Sequence, residues 1–254
     1  MIARSEIEIE ILKEGGQILA RILSRTAELV APGVSTLELN KFAEEQIGIS
    51  RAASSFEGYR DPGSGRIYPA SLCVSINDEI VHGLQGKRQI KEGDAVSLDL
   101  GIKHKGLFTD AAVTVVAGKS SPQNKKLVSV CKNSLAAGIK KCRAGAAVGD
   151  VGYAIESFAK SQGFVVIKEL VGHGVGRKVH EEPQIPNWGR QGQGYRFKAG
   201  EVVALEPMIT SGRPEIILAF DGWTWKTKDG SWTAHFEHTI IILEKGAEIL
   251  TELG

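Results

Sequence analysis

The sequence predicts an α+β fold in which an antiparallel sheet is backed by helices. Two helical segments are followed by strand-like segments, and this order repeats in the second half of the 254-residue chain. No proline- or serine-rich linker separates the two halves. Helices that are segregated from hairpin-connected strands are typical of the α+β class. We therefore expect residues 1–254 to form a single domain with an internal pseudo-twofold symmetry.

Four helices are predicted from the spacing of apolar residues and from the residues that begin or end a helix. Apolar residues recur at helical intervals from residue 6 to residue 30, and the pattern ends at the breaker Ala31-Pro32-Gly33. Ser35 or Thr36 has a side chain that can cap the second helix. The predicted helices cover residues 6–30, 36–47, 122–142 and 149–162.

The strands are predicted from runs of β-branched and apolar residues between turn-forming residues. Residues 95–101 and 107–116 are expected to form a hairpin around His104-Lys105-Gly106. Residues 51–69 are expected to form a loop, because Asp61-Pro62-Gly63-Ser64-Gly65 lies at their centre. The remaining strands are expected near residues 70–77, 163–169, 201–208 and 235–243.

Composition and charge argue against several classes of protein. The formal net charge of +1 gives no sign of a nucleic-acid or polybasic membrane surface. The first residues, MIARSEIEIE, lack the pattern of a signal peptide, and no apolar run approaches the ~20 residues of a membrane helix. Three cysteines without CxxC spacing suggest neither disulfides nor a zinc knuckle. We expect a cytoplasmic protein that binds neither nucleic acid nor membranes directly.

Two aspartates lie in the predicted hairpin. If its turn is centred between His104 and Lys105, Asp99 and Asp110 are directly opposite each other. Their Cβ atoms would then be ~5 Å apart on one face, where like charges repel unless a shared cation neutralises them. Alternatively, one aspartate faces solvent or the register differs.

Two glutamates occur in apolar segments. Glu206 follows the run EVVAL, and Glu237 begins the strand-like segment EHTIIIL. Carboxylates are rarely buried unless they are paired or bound to a metal ion. By alternation, His235 and Glu237 share one strand face. The alternative is an edge strand from which Glu206 points outward.

Histidines in a glycine-rich segment complete the candidate site. His173 lies between two glycines, which allow close approach of backbone and ligand, and His180 follows in the sequence VHEEP. Taken alone, these two histidines are equally compatible with a polar surface loop.

Together, these residues form a ligand set for two divalent cations. Four carboxylates supply four negative charges, and a single imidazole adds one nitrogen ligand. Such oxygen-rich ligation favours Mn, Fe, Co or Zn over a thiolate site. Two-metal sites activate a water molecule and clamp the attacked carbonyl, and aminopeptidases are among the enzymes that use them. The proposed ligands are Asp99, Asp110, His173, Glu206 and Glu237.

The chain resembles the bacterial-type, type I methionine aminopeptidases, which have the pita-bread (creatinase/aminopeptidase-like) fold. The motifs that carry the resemblance stand in the family's order along essentially the whole chain. They are PGVST, CVSIND with VHG, LDLG with TDAA, GHGVGR with HEEP, LEPM, and DGWTWKTKDGSWTAHFEHT. The resemblance implies a dinuclear metal centre in the middle of a pseudo-twofold antiparallel sheet.

The resemblance also implies a role for each ligand. Asp99 would bind one divalent metal ion, and His173 with Glu206 the other. Asp110 and Glu237 would bridge the two ions, whose identity (Co, Mn, Fe or Zn) the sequence leaves open. Glu206 would also be the proton shuttle that deprotonates the attacking water.

Two further histidines and a pocket are implied by the resemblance. His180 would contact the substrate carbonyl or scissile amide and stabilise the tetrahedral intermediate. His82 would hold the scissile nitrogen and help to protonate the leaving amine. The methionine pocket is expected to be small and apolar and to include Tyr68, Cys73 and Trp223. Tyr68 and Cys73 are also compatible with a place in the core.

Three departures from the family pattern bear on the pocket. Val179 stands where an aromatic residue is common, which puts the tightness of methionine selection in question. The loop 59–68 is a few residues longer than usual and is expected to reshape the pocket rim. His235 stands where glutamine is expected, and it is placed to add a contact behind Glu237.

The activity implied is removal of the N-terminal methionine from nascent proteins, with preference for a small second residue. Glu206 and Glu237 are too close in sequence for the insert of type II enzymes, and the start at Met1 leaves no room for the N-terminal zinc-binding extension of many eukaryotic type I enzymes. The expected partners are the N-termini of newly made proteins, with the ribosome as a further candidate. We expect a monomer.

Two rival functions remain open at this stage. An Xaa-Pro peptidase of the same fold would usually carry an additional N-terminal domain. A non-catalytic binding protein of this fold, ribosome-associated or chaperone-like, would typically have lost metal ligands. Comparison of Met-Ala with Ala-Pro peptides tests the first rival, and metal content tests the second.

Overall fold

The computed structural model describes residues 1–253 and contains the four helices expected from the sequence. Their bounds are α1 Glu6–Glu28, α2 Thr36–Ile49, α3 Pro122–Ile139 and α4 Val148–Ser161. Serine side chains cap three of the N-termini, because the hydroxyls of Ser5, Ser35 and Ser121 accept backbone N–H groups of the first turn. At Ser35, the Glu38 side chain reaches back to the cap, which completes a capping box.

Fifteen strands occur in the described residues. They are β1 Ala53–Ser54, β2 Leu72–Ile76, β3 Glu79–Val81, β4 Ala95–His104, β5 Leu107–Val116, β6 Val165–Val166, β7 Gly172–Gly174, β8 Glu181–Ile185, β9 Val202–Leu205, β10 Met208–Thr210, β11 Ile216–Leu218, β12 Trp225–Thr227, β13 Thr233–His235, β14 Glu237–Leu243 and β15 Gly246–Ile249. Several strands of two or three residues were not expected, because segments so short show no periodicity.

One antiparallel sheet passes through both halves of the chain. Its strand order is β1-β4-β5-β14-β9-β7-β8, with β2 also paired to β4 and β15 to β14. Two smaller sheets have the orders β13-β10-β6 and β11-β12-β3. Strands β5 and β14 pair with each other, so the two halves of the molecule meet in the middle of the large sheet.

Each pair of helices covers one half of the large sheet. Leu19 of α1 and Leu39 of α2 are fully buried in one apolar cluster with Leu98 of β4. Val151 of α4 lies in a second cluster with Val203 of β9 and with further residues of α3. The expected α+β architecture, with helices backing an antiparallel sheet in two similar halves, is therefore confirmed.

The turn of the β4–β5 hairpin differs from the expected one. Lys105 and Gly106 form a two-residue turn in which both residues have positive φ, 46° and 90°. This geometry matches the twist of the flanking strands. His104 therefore pairs with Leu107, and the turn is centred one residue later than predicted.

This register corrects the predicted opposition of the two aspartates. Asp99 pairs with Ala112, and Asp110 pairs with Gly101. The aspartates are diagonal neighbours on one face of the sheet, so the prediction that they stand directly opposite each other was wrong. They remain close enough to act together, because diagonal positions are within reach of long or polar side chains.

Among residues 1–253, no helix combines the length and the apolar character required to cross a lipid bilayer.

Candidate metal centre and adjoining cavity

The strand register places acidic residues on one face in the middle of the large sheet. Ala112 of β5 pairs with Asp99 on one side and with Glu237 of β14 on the other. Asp110 lies two residues before Ala112 and therefore on the same face. All three carboxylates are almost completely buried.

The other two predicted ligands reach the same face from the second half of the chain. His173 of β7 pairs with Ala204 of β9, which in turn pairs with Thr239 of β14. Glu206 lies two residues after Ala204, and Glu237 lies two residues before Thr239. The antiparallel pairing thus brings Glu206 and Glu237 to corresponding positions on one face.

Both glutamates lie where the chain changes from one sheet to another. The segment predicted as one strand near 201–208 is divided at Glu206-Pro207 into β9 of the large sheet and β10 of a small sheet. The segment predicted near 235–243 is divided at Phe236 into β13 and β14. Since β10 pairs with β13 and β9 pairs with β14, both breaks occur at the same place. The strand pairing is interrupted there, and both glutamates line the adjacent cavity.

Two groups of ligand atoms share Glu237. Asp99, Asp110 and Glu237 form one group, and His173, Glu206 and Glu237 form the other, with ligand atoms within 4.8 Å of one another in each group. The Nε2 atom of His173 is 3.3 Å from Oε1 of Glu206 and 4.0 Å from Oε1 of Glu237. Each group has the residue types of a divalent metal site.

Burial and mutual repulsion make the charged form of these carboxylates unfavourable unless a cation compensates it. Burial, and then the negative charge of neighbouring carboxylates, raises the pKa of Asp99, Glu206 and Glu237 well above the usual range. Burial also raises the pKa of Asp110 to about 7. One oxygen each of Asp99, Asp110 and Glu237 is buried without a hydrogen-bond donor. Buried oxygens without partners are costly, so these residues fit divalent metal ions that would supply the missing positive charge.

The ring of His173 is oriented as a metal ligand requires. Its Nδ1 atom donates a hydrogen bond of 2.9 Å to the carbonyl oxygen of Gly174. The proton is therefore on Nδ1, and the lone pair of Nε2 faces the carboxylates. Burial lowers the pKa of His173 to about 3, so the ring is neutral at physiological pH.

His235 lies behind the two glutamates. Its Nε2 atom is 3.9 Å from Oε2 of both Glu206 and Glu237, which is too far for a hydrogen bond. Neither ring nitrogen has a hydrogen-bond partner among the described residues, and burial lowers the pKa of His235 to about 3. The predicted proximity to Glu237 is present, but without a direct hydrogen bond.

An apolar cavity of about 270 Å³ adjoins the carboxylates, and its wall includes all three residues predicted for the pocket. Tyr68 packs edge-to-face on Trp223, with ring centroids 5.1 Å apart, and on Phe56 at 6.5 Å. Cys73 and Val179 belong to the same buried cluster. Tyr68 and Cys73 are therefore both buried and part of the cavity wall.

The two predicted non-ligand histidines also border this cavity. The ring of His180 packs edge-to-face on His173, with centroids 4.6 Å apart, and its Nδ1 atom is 3.1 Å from the hydroxyl of Tyr59. Burial lowers the pKa of His82 to about 4. His82 also has a positive φ of 59°, which is unusual for a residue other than glycine.

Some cavity residues were not anticipated from the sequence. Asp61, Ser64 and Arg66 of the 59–68 loop border the cavity, as does Leu218 of β11. The length of this loop was the only sequence signal for them. A second, more open cleft of about 750 Å³ continues from the cavity past His82. His82, His173, His180 and Glu206 line both spaces.

Comparison with known proteins agrees with this geometry. The model of metallopeptidase family M24 matches residues 10–244. The chain belongs to this family. It is 48% identical to the methionine aminopeptidase of Aquifex aeolicus, with 98% of both chains covered. It is 40% identical to methionine aminopeptidase 1 of Bacillus subtilis, with both chains covered completely.

Solved structures of M24 proteins confirm the fold. The methionine aminopeptidase of Thermotoga maritima superposes with a TM-score of 0.95 at 42% identity, and each chain covers the other completely. The prolidase of Pyrococcus horikoshii gives a TM-score of 0.77 at 18% identity, and this chain covers 64% of it. The second likeness shows the fold alone. The pita-bread fold and the resemblance to methionine aminopeptidases are both confirmed.

Proposed function

We propose that this M24 metallopeptidase is a methionine aminopeptidase that hydrolyses the first peptide bond of newly made proteins. The observation that carries the proposal is that the carboxylates line one end of a small cavity whose wall is otherwise mainly apolar. An unbranched apolar side chain in the cavity would place the bond that follows it beside the carboxylates. Relatives with 40–48% identity over the full chain are named methionine aminopeptidases.

The two groups of ligand atoms support a division of the ligands between two divalent cations. Asp99 would bind one cation, and His173 with Glu206 the other. Asp110 and Glu237 would contact both, and Glu237 already belongs to both groups. When bound, the cations would lower the pKa of an attacking water and polarise the scissile carbonyl. Co, Mn, Fe and Zn all suit this ligand set.

Glu206 is the carboxylate best placed to move a proton. Its side chain is 12% exposed, whereas that of Glu237 is 3% exposed. Glu206 also borders both the cavity and the open cleft, where water enters and the amine product leaves. It would accept the proton of the attacking water and deliver it to the leaving nitrogen.

His180 would donate a hydrogen bond to the substrate carbonyl. Its Nδ1 atom faces the hydroxyl of Tyr59, which can donate its proton to that nitrogen. The proton of the neutral ring then lies on Nε2, which makes Nε2 the donor. His82, whose pKa of about 4 also makes it neutral, would hold the scissile nitrogen.

The cavity and the cleft would divide the substrate between them. The methionine side chain would lie against Tyr68, Cys73 and Trp223, and the rest of the polypeptide would leave through the open cleft. The rings of His82 and His180 border both spaces, so the second residue would lie close to them. A small second residue would fit most easily beside these rings.

Peptide hydrolysis tests the proposal. Purified protein should release methionine from Met-Ala-Ser, chelation should abolish the release, and refilling with Mn, Fe, Co or Zn should restore it. Metal analysis should find two ions per chain. Ala-Pro-Ser serves as the comparison peptide, since preferential cleavage of that peptide would identify an Xaa-Pro peptidase instead. No hydrolysis and no bound metal would indicate a binding protein.

We also propose that residues 1–254 act as one catalytic domain, as a monomer in the cytoplasm, and that the ribosome is a candidate partner. The substrates are nascent chains, which emerge in the cytoplasm. Light scattering after size-exclusion chromatography would measure the mass of the particle, and cosedimentation with ribosomes would test that contact.

A further inference from the structure

One arginine spans the mouth of the apolar cavity. Arg66 lies in the 59–68 loop, which folds into a small hairpin through the antiparallel pair Arg60–Ile67. The guanidinium of Arg66 donates a hydrogen bond of 2.9 Å to the carbonyl oxygen of Gly222 in a separate segment of the cavity rim. Both residues border the cavity. The two segments are far apart in sequence, so this contact links two independent parts of the cavity wall.

The Gly222 side of the contact is an ordered turn that holds Trp223. The carboxylate of Asp221 accepts the backbone N–H groups of Trp223 and Thr224, at 2.8 and 2.9 Å, and the Thr224 hydroxyl at 2.7 Å. Gly222 has a φ of +76°, and a Cβ atom there would overlap the guanidinium of Arg66. Glycine is therefore required at this position for both the turn and the close approach of the arginine.

The Arg66 side of the contact is a small hairpin that holds two tyrosines of the cavity wall. The N–H of Tyr68 donates to the carbonyl of Tyr59 at 2.8 Å, and the N–H of Asp61 donates to the carbonyl of Arg66 at 2.9 Å. The Asp61 carboxylate accepts the N–H of Ser64 at 2.7 Å. These internal hydrogen bonds hold the hairpin together, so it would move as one unit relative to the rest of the protein.

The contact therefore holds two segments of the cavity wall together. Next to it, Tyr68 of the hairpin and Trp223 of the turn pack edge-to-face, with ring centroids 5.1 Å apart. We propose that Arg66 is a positioning residue that sets the width of the pocket and thereby determines which first residues the enzyme accepts. This inference rests on the proposed function, since the occupant of the pocket is the side chain of the first substrate residue.

Selectivity, rather than overall stability, should depend on Arg66. Its side chain is exposed and makes one hydrogen bond across the cavity mouth, whereas the two walls are each ordered by their own internal bonds. Without the hydrogen bond, the hairpin and the turn remain folded and touch only through side-chain packing such as the Tyr68–Trp223 contact, so their separation can increase. A wider pocket accepts branched and aromatic side chains that the narrow pocket excludes by shape.

The same hairpin offers a matched control. Arg60 is also exposed, and its guanidinium also donates to a backbone carbonyl at 2.8 Å, but the acceptor is Gly65 within the hairpin. Replacement of Arg60 removes the same charge and the same kind of hydrogen bond without affecting the link to Gly222.

The test compares wild type, Arg66→Met, Arg66→Lys and Arg60→Met in their metal-loaded forms. The value of kcat/KM is measured for Met-Ala-Ser, Leu-Ala-Ser and Phe-Ala-Ser. In Arg66→Met, the preference for Met over Leu and Phe should fall roughly tenfold, which is the scale of discrimination by pocket size. KM for Met-Ala-Ser should rise more than kcat falls. Arg66→Lys should recover part of the preference, because lysine can still donate to Gly222.

The ratio of two substrates measured on one sample does not depend on the fraction of folded enzyme. A purely structural role of Arg66 would therefore leave the ratio unchanged. The inference is wrong if Arg66→Met keeps the wild-type preference, or if Arg60→Met loses it equally. Wild-type protein that releases no methionine would overturn the proposed function itself, so the two failures are distinguishable.

Discussion

The carboxylate centre and the aromatic wall face the same cavity but are held by different kinds of structure. Asp99, Asp110 and Glu237 lie on paired central strands and are almost completely buried. Tyr68 and Trp223 lie on a hairpin and a turn that are joined across the cavity mouth by one exposed arginine. The chemistry therefore depends on strand register, whereas the fit of the substrate depends on loops that can change without disturbing the sheet.

His180 belongs to neither part completely. Its ring packs on His173 of the centre, and its Nδ1 atom is hydrogen-bonded to Tyr59 of the hairpin. A substitution in the carboxylate centre should abolish activity, and a substitution in the aromatic wall should alter the preference for the first substrate residue. A substitution at His180 should lower activity by an intermediate factor. The following experiments test that order.

The largest effect is expected for Asp110→Asn. The substitution keeps the shape of the side chain but removes one of the negative charges that the cations need. Loss of about 4 kcal/mol of charge stabilisation in the transition state lowers the rate roughly 1000-fold. Hydrolysis of Met-Ala-Ser and metal content should both fall. Glu244 lies in the turn that follows β14, and its side chain is exposed. Glu244→Gln should therefore change neither the rate of hydrolysis nor the metal content.

His180→Ala should lower kcat for Met-Ala-Ser by roughly 100-fold, the scale reported for loss of one hydrogen-bond donor to the developing oxyanion. Metal content should stay at the wild-type value, because His180 is not among the proposed ligands. An equal loss of metal would show instead that His180 acts as a ligand, as its inclusion in a third group with Asp110 and His173 would allow.

The contribution of Asp110 to the stability of the metal-free protein should fall as the pH rises from about 4 to about 7. The buried neutral histidines His82, His173 and His235, whose pKa values are lowered, act in the opposite direction below pH 6.5, so the effect of Asp110 is measured against Asp110→Asn. Burial raises the pKa of Asp110 from 3.8 to about 7, so the folded state holds a proton that the unfolded state has lost in this range. The unfolded state then binds fewer protons, and the free energy of unfolding falls with rising pH. One such group contributes roughly 1.4 kcal/mol per pH unit, or a factor of ten in the folding equilibrium.

Thermal unfolding of chelated protein between pH 4.5 and pH 7.5 measures this effect. We expect the Tm of the chelated wild type, relative to that of chelated Asp110→Asn, to fall across the range. Saturating Mn should restore Tm at neutral pH, since ligands that bind only the folded state stabilise it. A difference in Tm between the two chelated proteins that stays constant or grows in favour of the wild type across this range would contradict the proposed origin of the effect.

The smallest effect is expected for Tyr59→Phe. The substitution removes the hydroxyl that orients His180 and keeps the aromatic ring that packs on it, at a centroid distance of 5.2 Å. Loss of one partly exposed hydrogen bond of about 0.7 kcal/mol corresponds to a change of about threefold in kcat. A loss as large as that of His180→Ala would mean that Tyr59 contacts the substrate itself.

The sequence by itself determined the helices, the class of fold and the residues that meet at the centre. Helix bounds follow from local caps such as Ser35 with Glu38, which need no distant contact. Buried carboxylates such as Glu237 were recognisable because an acidic residue in an apolar strand requires a compensating charge. These signals are local in the chain, so they can be read without the tertiary structure.

Only the tertiary structure decided how these residues are arranged. The Lys105-Gly106 turn moved the hairpin register by one position and made Asp99 and Asp110 diagonal neighbours. The link between Arg66 and Gly222 is likewise absent from any local pattern, because it joins segments that are 156 residues apart. Register and long-range contacts depend on the packing of distant segments, and a single sequence carries that information only through the folded chain.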